Sequence, residues 1–195
     1  MNKNKLTLRD YLLMALISVV FGVVYLLAVY AGTALTTILT PFGLGVLGYE
    51  PFYGIWYMAA IITTYLIRKP LVGIVTEVIA ALIEVLLGNM FGVMVLISAF
   101  IQGVGVELPF TFTRYEKYTY KVAMASAVSA TVLSFLWTGF RSNYLAMDWR
   151  IVAAIFVIRL LSSLFFTGYL SKLICDKLDK AGILTNQLTA REVSE

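Results

Sequence analysis

Two glutamates interrupt the stretch Leu71–Met90, LVGIVTEVIAALIEVLLGNM. Apart from Glu77 and Glu84, the stretch is apolar and long enough to cross a bilayer. A charge at the bilayer centre costs at least about 2.5–3.5 kcal/mol on insertion scales, so carboxylates in such a place are candidates for ligand contact or proton handling. Seven residues apart, Glu77 and Glu84 share one helix face, and Ala80 and Ala81 between them keep that face thin. Gln102 lies about halfway along the next apolar run, with Glu107 further on and Arg159 inside the last run. Asn89 stands at the turn after Glu84.

Buried charges need partners, so Arg159 is expected to neutralise Glu77 or Glu107. Glu84 stands one turn from a loop, and only Arg141 and Arg150 offer it a positive charge at that end. An unpaired carboxylate there suits a cationic ligand, with Gln102 as a second polar contact. Aromatic residues gather at the same end: Phe52, Tyr53, Trp56 and Tyr57 in PFYGIWY, then Trp137, Phe140, Tyr144 and Trp149. One reading makes them an interfacial belt. The other makes them a pocket wall, each face worth about 0.5–2 kcal/mol to a cation.

Composition narrows the class. The chain has 195 residues, 61% hydrophobic and 13% charged, against about 45–50% and roughly 25% in soluble domains. There is no histidine, and Cys175 is the single cysteine. His-ligated zinc enzymes, serine–histidine proteases, Cys metal clusters and intrachain disulfides are thereby excluded. No cofactor or metal is expected, and the chain is not read as an enzyme. No GxxxxGK[ST] loop occurs, so an ATPase driving transport must be another polypeptide.

These residues need a scaffold, and the hydropathy pattern predicts an all-α membrane protein of six helices at about 8–31, 51–67, 70–87, 91–110, 119–140 and 150–175. The expected domain is a single bundle over 1–180. The first run is too long for a signal h-region and is read as a span. Lys3, Lys5, Arg9, Arg68, Lys69, Arg114, Lys117, Lys121, Lys172, Lys177, Lys180 and Arg191 fall on one side when the N-terminus is cytoplasmic. The positive-inside rule therefore predicts both termini in the cytoplasm, with 181–195 as a cytoplasmic tail. The segment 32–50, GTALTTILTPFGLGVLGYE, is long and apolar for a loop and is expected to fold back as an outside lid. Its Gly43, Gly45 and Gly48 match GxGxxG, but no strand precedes them, so they are read as bending points of the lid. Ala15, Ser18 and Gly22 on the first helix form a small-residue surface for close helix approach, either within the bundle or to a partner subunit.

The runs GIWYMAAIITTYLIRKPLVGIVTEVIAALIEVLLGN and LISAFIQGVGVELPFTFTRYEKY resemble the YkoE family, the thiamine or hydroxymethylpyrimidine S components of energy-coupling factor (ECF) transporters. The resemblance extends from the second span through the Arg114 loop and, more loosely, to the last span. It implies a substrate-capture subunit in a prokaryotic plasma membrane. It also implies a six-helix bundle with a site near the outer surface, a transmembrane coupling (T) subunit and a pair of ABC ATPases. Under it, Glu84 accepts from the aminopyrimidine edge, Gln102 or Asn89 donates, Trp56, Tyr53 or Trp137 stacks, and Ala15, Ser18 and Gly22 form the docking surface. The alternative is a stand-alone proton-coupled transporter using Glu77, Glu107 and Arg159 as a relay. An assembly subunit without a ligand is a further rival.

Overall fold

The structure is a computed structural model that describes residues 6–180; the expected tail 181–195 lies outside them. Among the described residues there is no strand. Helix α1, Leu8–Leu39, opens on a reciprocal cap. The Thr7 hydroxyl accepts the Asp10 N–H, while the Asp10 carboxylate accepts the Thr7 N–H and hydroxyl. The helix does not end at Ala31, as the hydropathy pattern suggested, but runs on to Leu39, into the segment expected as a lid. Thr33, Thr37 and Thr40 return their hydroxyls to the carbonyls of Val29, Thr33 and Thr36, so these polar residues are satisfied inside the helix. Only 40–50 of the expected lid is non-α, as short 3-10 turns with Gly43 left-handed at φ 72°.

A 3-10 segment, Glu50–Tyr57, leads into α2, Met58–Ile67, whose ten residues are all buried. The Arg68–Lys69–Pro70 turn follows, with Arg68 and Leu71 at positive φ. Then come α3 (Val72–Leu86), α4 (Met94–Phe112), α5 (Tyr120–Arg141) and α6 (Trp149–Ser163). A π-turn, Leu164–Leu170, carries α6 on into α7, Ser171–Lys180. Among the described residues, four rods are long and apolar enough to cross a membrane: Leu8–Phe42, Met94–Phe112, Tyr120–Arg141 and Trp149–Lys180. The α2 and α3 rods are shorter, and α2 runs through the middle of the bundle.

Polarity is inverted relative to a soluble protein. Leu12, Leu16, Leu27, Phe112, Leu136 and Leu161 point outward, while Glu77, Glu84, Glu107 and Arg159 are inside. Without a strong hydrophobic drive between helices in lipid, close contact rests on small residues. A Cβ on Gly22 would fall 2.6 Å from Ile83 Cγ2, so α1 lies directly on α3. Ser18 adds a 3.1 Å bond to the Thr76 carbonyl. Ser18 and Gly22 are thus spent inside the bundle; of the expected docking set, Ala15 alone is exposed. Gly103 on Ile74 and Gly105 on Ala130 seat α4 against α3 and α5 in the same way.

Candidate ligand-binding site

At the end of the bundle where α3 finishes, a cavity of about 310 Å³ is enclosed by α1, α3, α4, α5 and the 3-10 segment before α2. Glu77, Ala81 and Glu84 line it from α3, and Ser98, Ala99 and Gln102 from α4. Tyr53 and Trp56 supply an aromatic wall, their rings 5.7 Å apart. Val46 and Tyr49 from the 40–50 segment, Phe91 from the α3–α4 turn and Met147 from the α5–α6 turn also line it. Exposed Arg141 and Ser142 among the lining residues mark where it reaches the surface.

Five of the expected ligand contacts therefore meet around one space: Tyr53, Trp56, Glu77, Glu84 and Gln102. Asn89 stands behind Glu84 and donates to its Oε1 at 2.7 Å. Phe52 packs instead against the buried core. Trp137 does not line the cavity either; its indole N–H donates at 2.8 Å to Ser98 Oγ and so orients a residue that does.

The acidic residues have different fates. Both oxygens of Glu77 accept from the Tyr25 hydroxyl, at 2.8 and 2.9 Å, and Oε2 also accepts the Ala60 N–H at 3.0 Å. Oε2 of Glu84 is buried and makes no hydrogen bond of ordinary geometry among the described residues, although the Trp56 side chain approaches the carboxylate closely. Glu107, at the far end of the bundle, accepts the N–H groups of Leu71, Gly73 and Ile74 and the Tyr115 hydroxyl. It serves as a cap brought from α4 to the first turn of α3, where the helix dipole favours a negative charge.

Arg159 pairs with neither Glu77 nor Glu107. Its Nε donates to Glu50 Oε2 at 2.7 Å and its Nη2 to Glu50 Oε1 at 2.8 Å. Sequence reasoning missed Glu50 because it closes a segment read as a lid. Its placement directly before the aromatic run of the second span was the available signal. Tyr25, Tyr49 and Phe91 were also missed, being ordinary apolar-run residues by sequence. Burial pushes the Tyr144 phenol, outside the spans, up to about 12, so it stays protonated at neutral pH. Among the described residues no group of His, Cys, Asp or Glu is placed to hold a metal ion.

The arrangement is a helical bundle with a small cavity at one end, lined by six aromatic side chains and by Glu50, Glu77 and Glu84. Residues 9–133 match the family described as "ABC-type cobalt transport system, permease component". The chain is 37% identical over 187 residues to the Bacillus subtilis (strain 168) protein YkoE, described as an HMP/thiamine permease, covering 96% of this chain and 92% of that one. A crystal structure of an S component of an ECF transporter superposes with a TM-score of 0.86 at 37% identity, covering 97% of this chain and 94% of the other. The chain belongs to the YkoE family of ECF-transporter S components. These relatives are transport components, the class expected in place of an enzyme.

Proposed function

We propose that the chain is the substrate-capture subunit of an ATP-driven ECF importer and that the cavity binds thiamine or its hydroxymethylpyrimidine precursor. The observation that carries this reading is Glu84: it lines a small aromatic cavity and presents a buried carboxylate oxygen with no hydrogen bond of ordinary geometry among the described residues. The aminopyrimidine shared by both molecules offers an amino group to that oxygen, a charge-assisted hydrogen bond. Tyr53 and Trp56 suit flat rings, and Glu77 and Glu84, the lining carboxylates not ion-paired to Arg159, suit the permanent positive charge of the thiazolium. The name of the B. subtilis relative points to the same two molecules.

By the distribution of Lys and Arg, the cavity end faces outward in the plasma membrane. Substrate enters there, 40–50 closes with Val46 and Tyr49 over it, and partner subunits supply coupling and ATP hydrolysis. A proton relay through Glu77, Glu107 and Arg159 finds no support, because these residues belong to separate hydrogen-bond networks.

Binding to the purified full chain in lipid nanodiscs, followed by tryptophan quenching, tests the reading. Saturable quenching by thiamine or hydroxymethylpyrimidine is expected. Folded protein, free of carried-over ligand, that responds to neither refutes the vitamin assignment.

A further inference from the structure

Arg159 does not line the cavity, yet four residues that do converge on its guanidinium. Glu50 takes the two-point ion pair described above. Nη1 donates to Thr138 Oγ1 at 3.0 Å, and Nη2 donates to the Tyr144 hydroxyl at 3.3 Å. The guanidinium carbon lies 3.6 Å from the centre of the Tyr53 ring. One fully buried side chain on α6 thus ties together the segment before α2, the end of α5 and the α5–α6 turn. Only a planar fork of five donors serves so many directions at once; a lysine does not.

The contacts are unequal. The Glu50 pair is short, doubled and desolvated, and Thr138 stands on a helix. The Tyr144 contact is longer, and the turn that carries it has few other anchors. Asn143 is left-handed at φ 51°, and Leu145 beside Tyr144 is fully exposed. Tyr144 otherwise leans on Phe135, with ring centres 5.3 Å apart, and on Gly139. This same stretch supplies Arg141, Ser142, Tyr144 and Met147 to the cavity at the place where it reaches the surface.

We infer that Arg159 is a positioning residue for the binding cavity: anchored through Glu50, it holds Tyr144, and with it the α5–α6 turn, closed over one side, and the Tyr144 hydroxyl is the point at which that side opens. The inference rests on the proposed role of the cavity as the ligand site. It adds a second moving edge to that of the 40–50 segment. A buried ion pair is weak evidence for stability alone, which leaves fixed geometry as the better account of this one.

The test begins without a ligand. In the full chain in nanodiscs, the Ala146 and Met147 amides bond to the Asn143 and Tyr144 carbonyls and report the turn by hydrogen exchange. Tyr144→Phe deletes one hydroxyl and keeps the ring. It is expected to speed exchange of these amides about three- to tenfold, the worth of one net hydrogen bond, leaving α3 and α4 amides unchanged. Arg159→Lys should do the same or more. Stopped-flow quenching with thiamine should then show Tyr144→Phe raising association and dissociation rates together, with the equilibrium constant moving less than either. A merely structural contact would lower the melting temperature and leave that rate pattern unmoved. Unchanged exchange in Tyr144→Phe overturns the inference. Faster exchange in a chain that binds neither thiamine nor hydroxymethylpyrimidine supports the tether and refutes the ligand assignment instead.

Discussion

Glu84 and Asn89 are locked together within one helix and its following turn. Asn89 Nδ2 donates to Glu84 Oε1 at 2.7 Å, while Asn89 Oδ1 accepts the Phe91 N–H at 2.6 Å. One carboxylate oxygen is thereby fixed by the protein, and the other, Oε2, is left for something else.

Glu84→Gln tests what that oxygen does. The glutamine carbonyl still accepts from Asn89, but an NH2 donor replaces Oε2 and meets the amino group of an aminopyrimidine donor to donor. Loss of a hydrogen bond to a charged group predicts about ten- to a hundredfold weaker binding, equally for thiamine and hydroxymethylpyrimidine. Tryptophan quenching measures both. An unchanged dissociation constant for both would remove Glu84 from the site.

Asn89→Ala acts one step back. It frees Glu84 Oε1 and releases the Phe91 N–H, and Phe91 packs edge-on to Tyr49 at 5.2 Å between centres. Glu84 loses its fixed orientation, so binding is expected to weaken about tenfold, the net worth of one such bond. Because the change lies behind the carboxylate, the ratio of thiamine to hydroxymethylpyrimidine affinity should stay as it was. A changed ratio would mean that Asn89 itself reaches the ligand.

Much of the site was legible because lipid makes polar residues conspicuous. Glu77, Glu84 and Gln102 stood out on apolar helices, and all three line the cavity. Tyr53 and Trp56 were legible as aromatics next to them, but an aromatic at a membrane surface has two common uses. Phe52 and Trp137 looked the same and do not line the cavity. Helix periodicity gave the α3 face that carries Glu77 and Glu84, but not which cation would meet which acid. Arg159 reaches Glu50 across 109 residues of chain, and that choice depends on how the 3-10 segment docks on α6. The end of α1 lies beyond the expected Ala31 because the apolar segment expected as a lid begins as helix, where the Thr33, Thr37 and Thr40 hydroxyls return to the helix backbone.

Glu107 is expected to matter for stability and not for binding. It satisfies three N–H groups at the start of α3, at 2.9, 2.6 and 3.3 Å, far from the cavity. Glu107→Ala leaves those donors without an acceptor and removes a negative charge from a helix N-terminus, a cost of about 1–3 kcal/mol. A lower unfolding midpoint in detergent, with thiamine affinity kept in the folded fraction, is the expected outcome. A selective loss of affinity at unchanged stability would return Glu107 to a role in transport.

Gly54 is where the aromatic wall is most exposed to a single atom. Its N–H donates to Ser162 Oγ at 3.0 Å, while its carbonyl accepts from Thr167 Oγ1 at 2.8 Å. Ser162 Oγ also donates to the Pro51 carbonyl at 2.8 Å, so the 3-10 segment is fastened to α6 and to the π-turn after it. A Cβ on Gly54 would stand 2.4 Å from the Ser162 carbonyl oxygen. Backbone cannot step aside as a side chain does, so Gly54→Ala must push away the segment that carries Tyr53 and Trp56. A destabilisation of about 1–3 kcal/mol is expected from overpacking, together with weaker thiamine binding. Gly43→Ala is the contrast: nothing stands within 4 Å of its Cβ, and only the cost of a left-handed φ of 72° applies. It should lower stability slightly and leave affinity as it was. Ser162→Gly should not rescue Gly54→Ala, because the clash is with a carbonyl that glycine keeps. Rescue by that second change, read from thiamine quenching and the unfolding midpoint, would show that the side chain and not the backbone sets the fit.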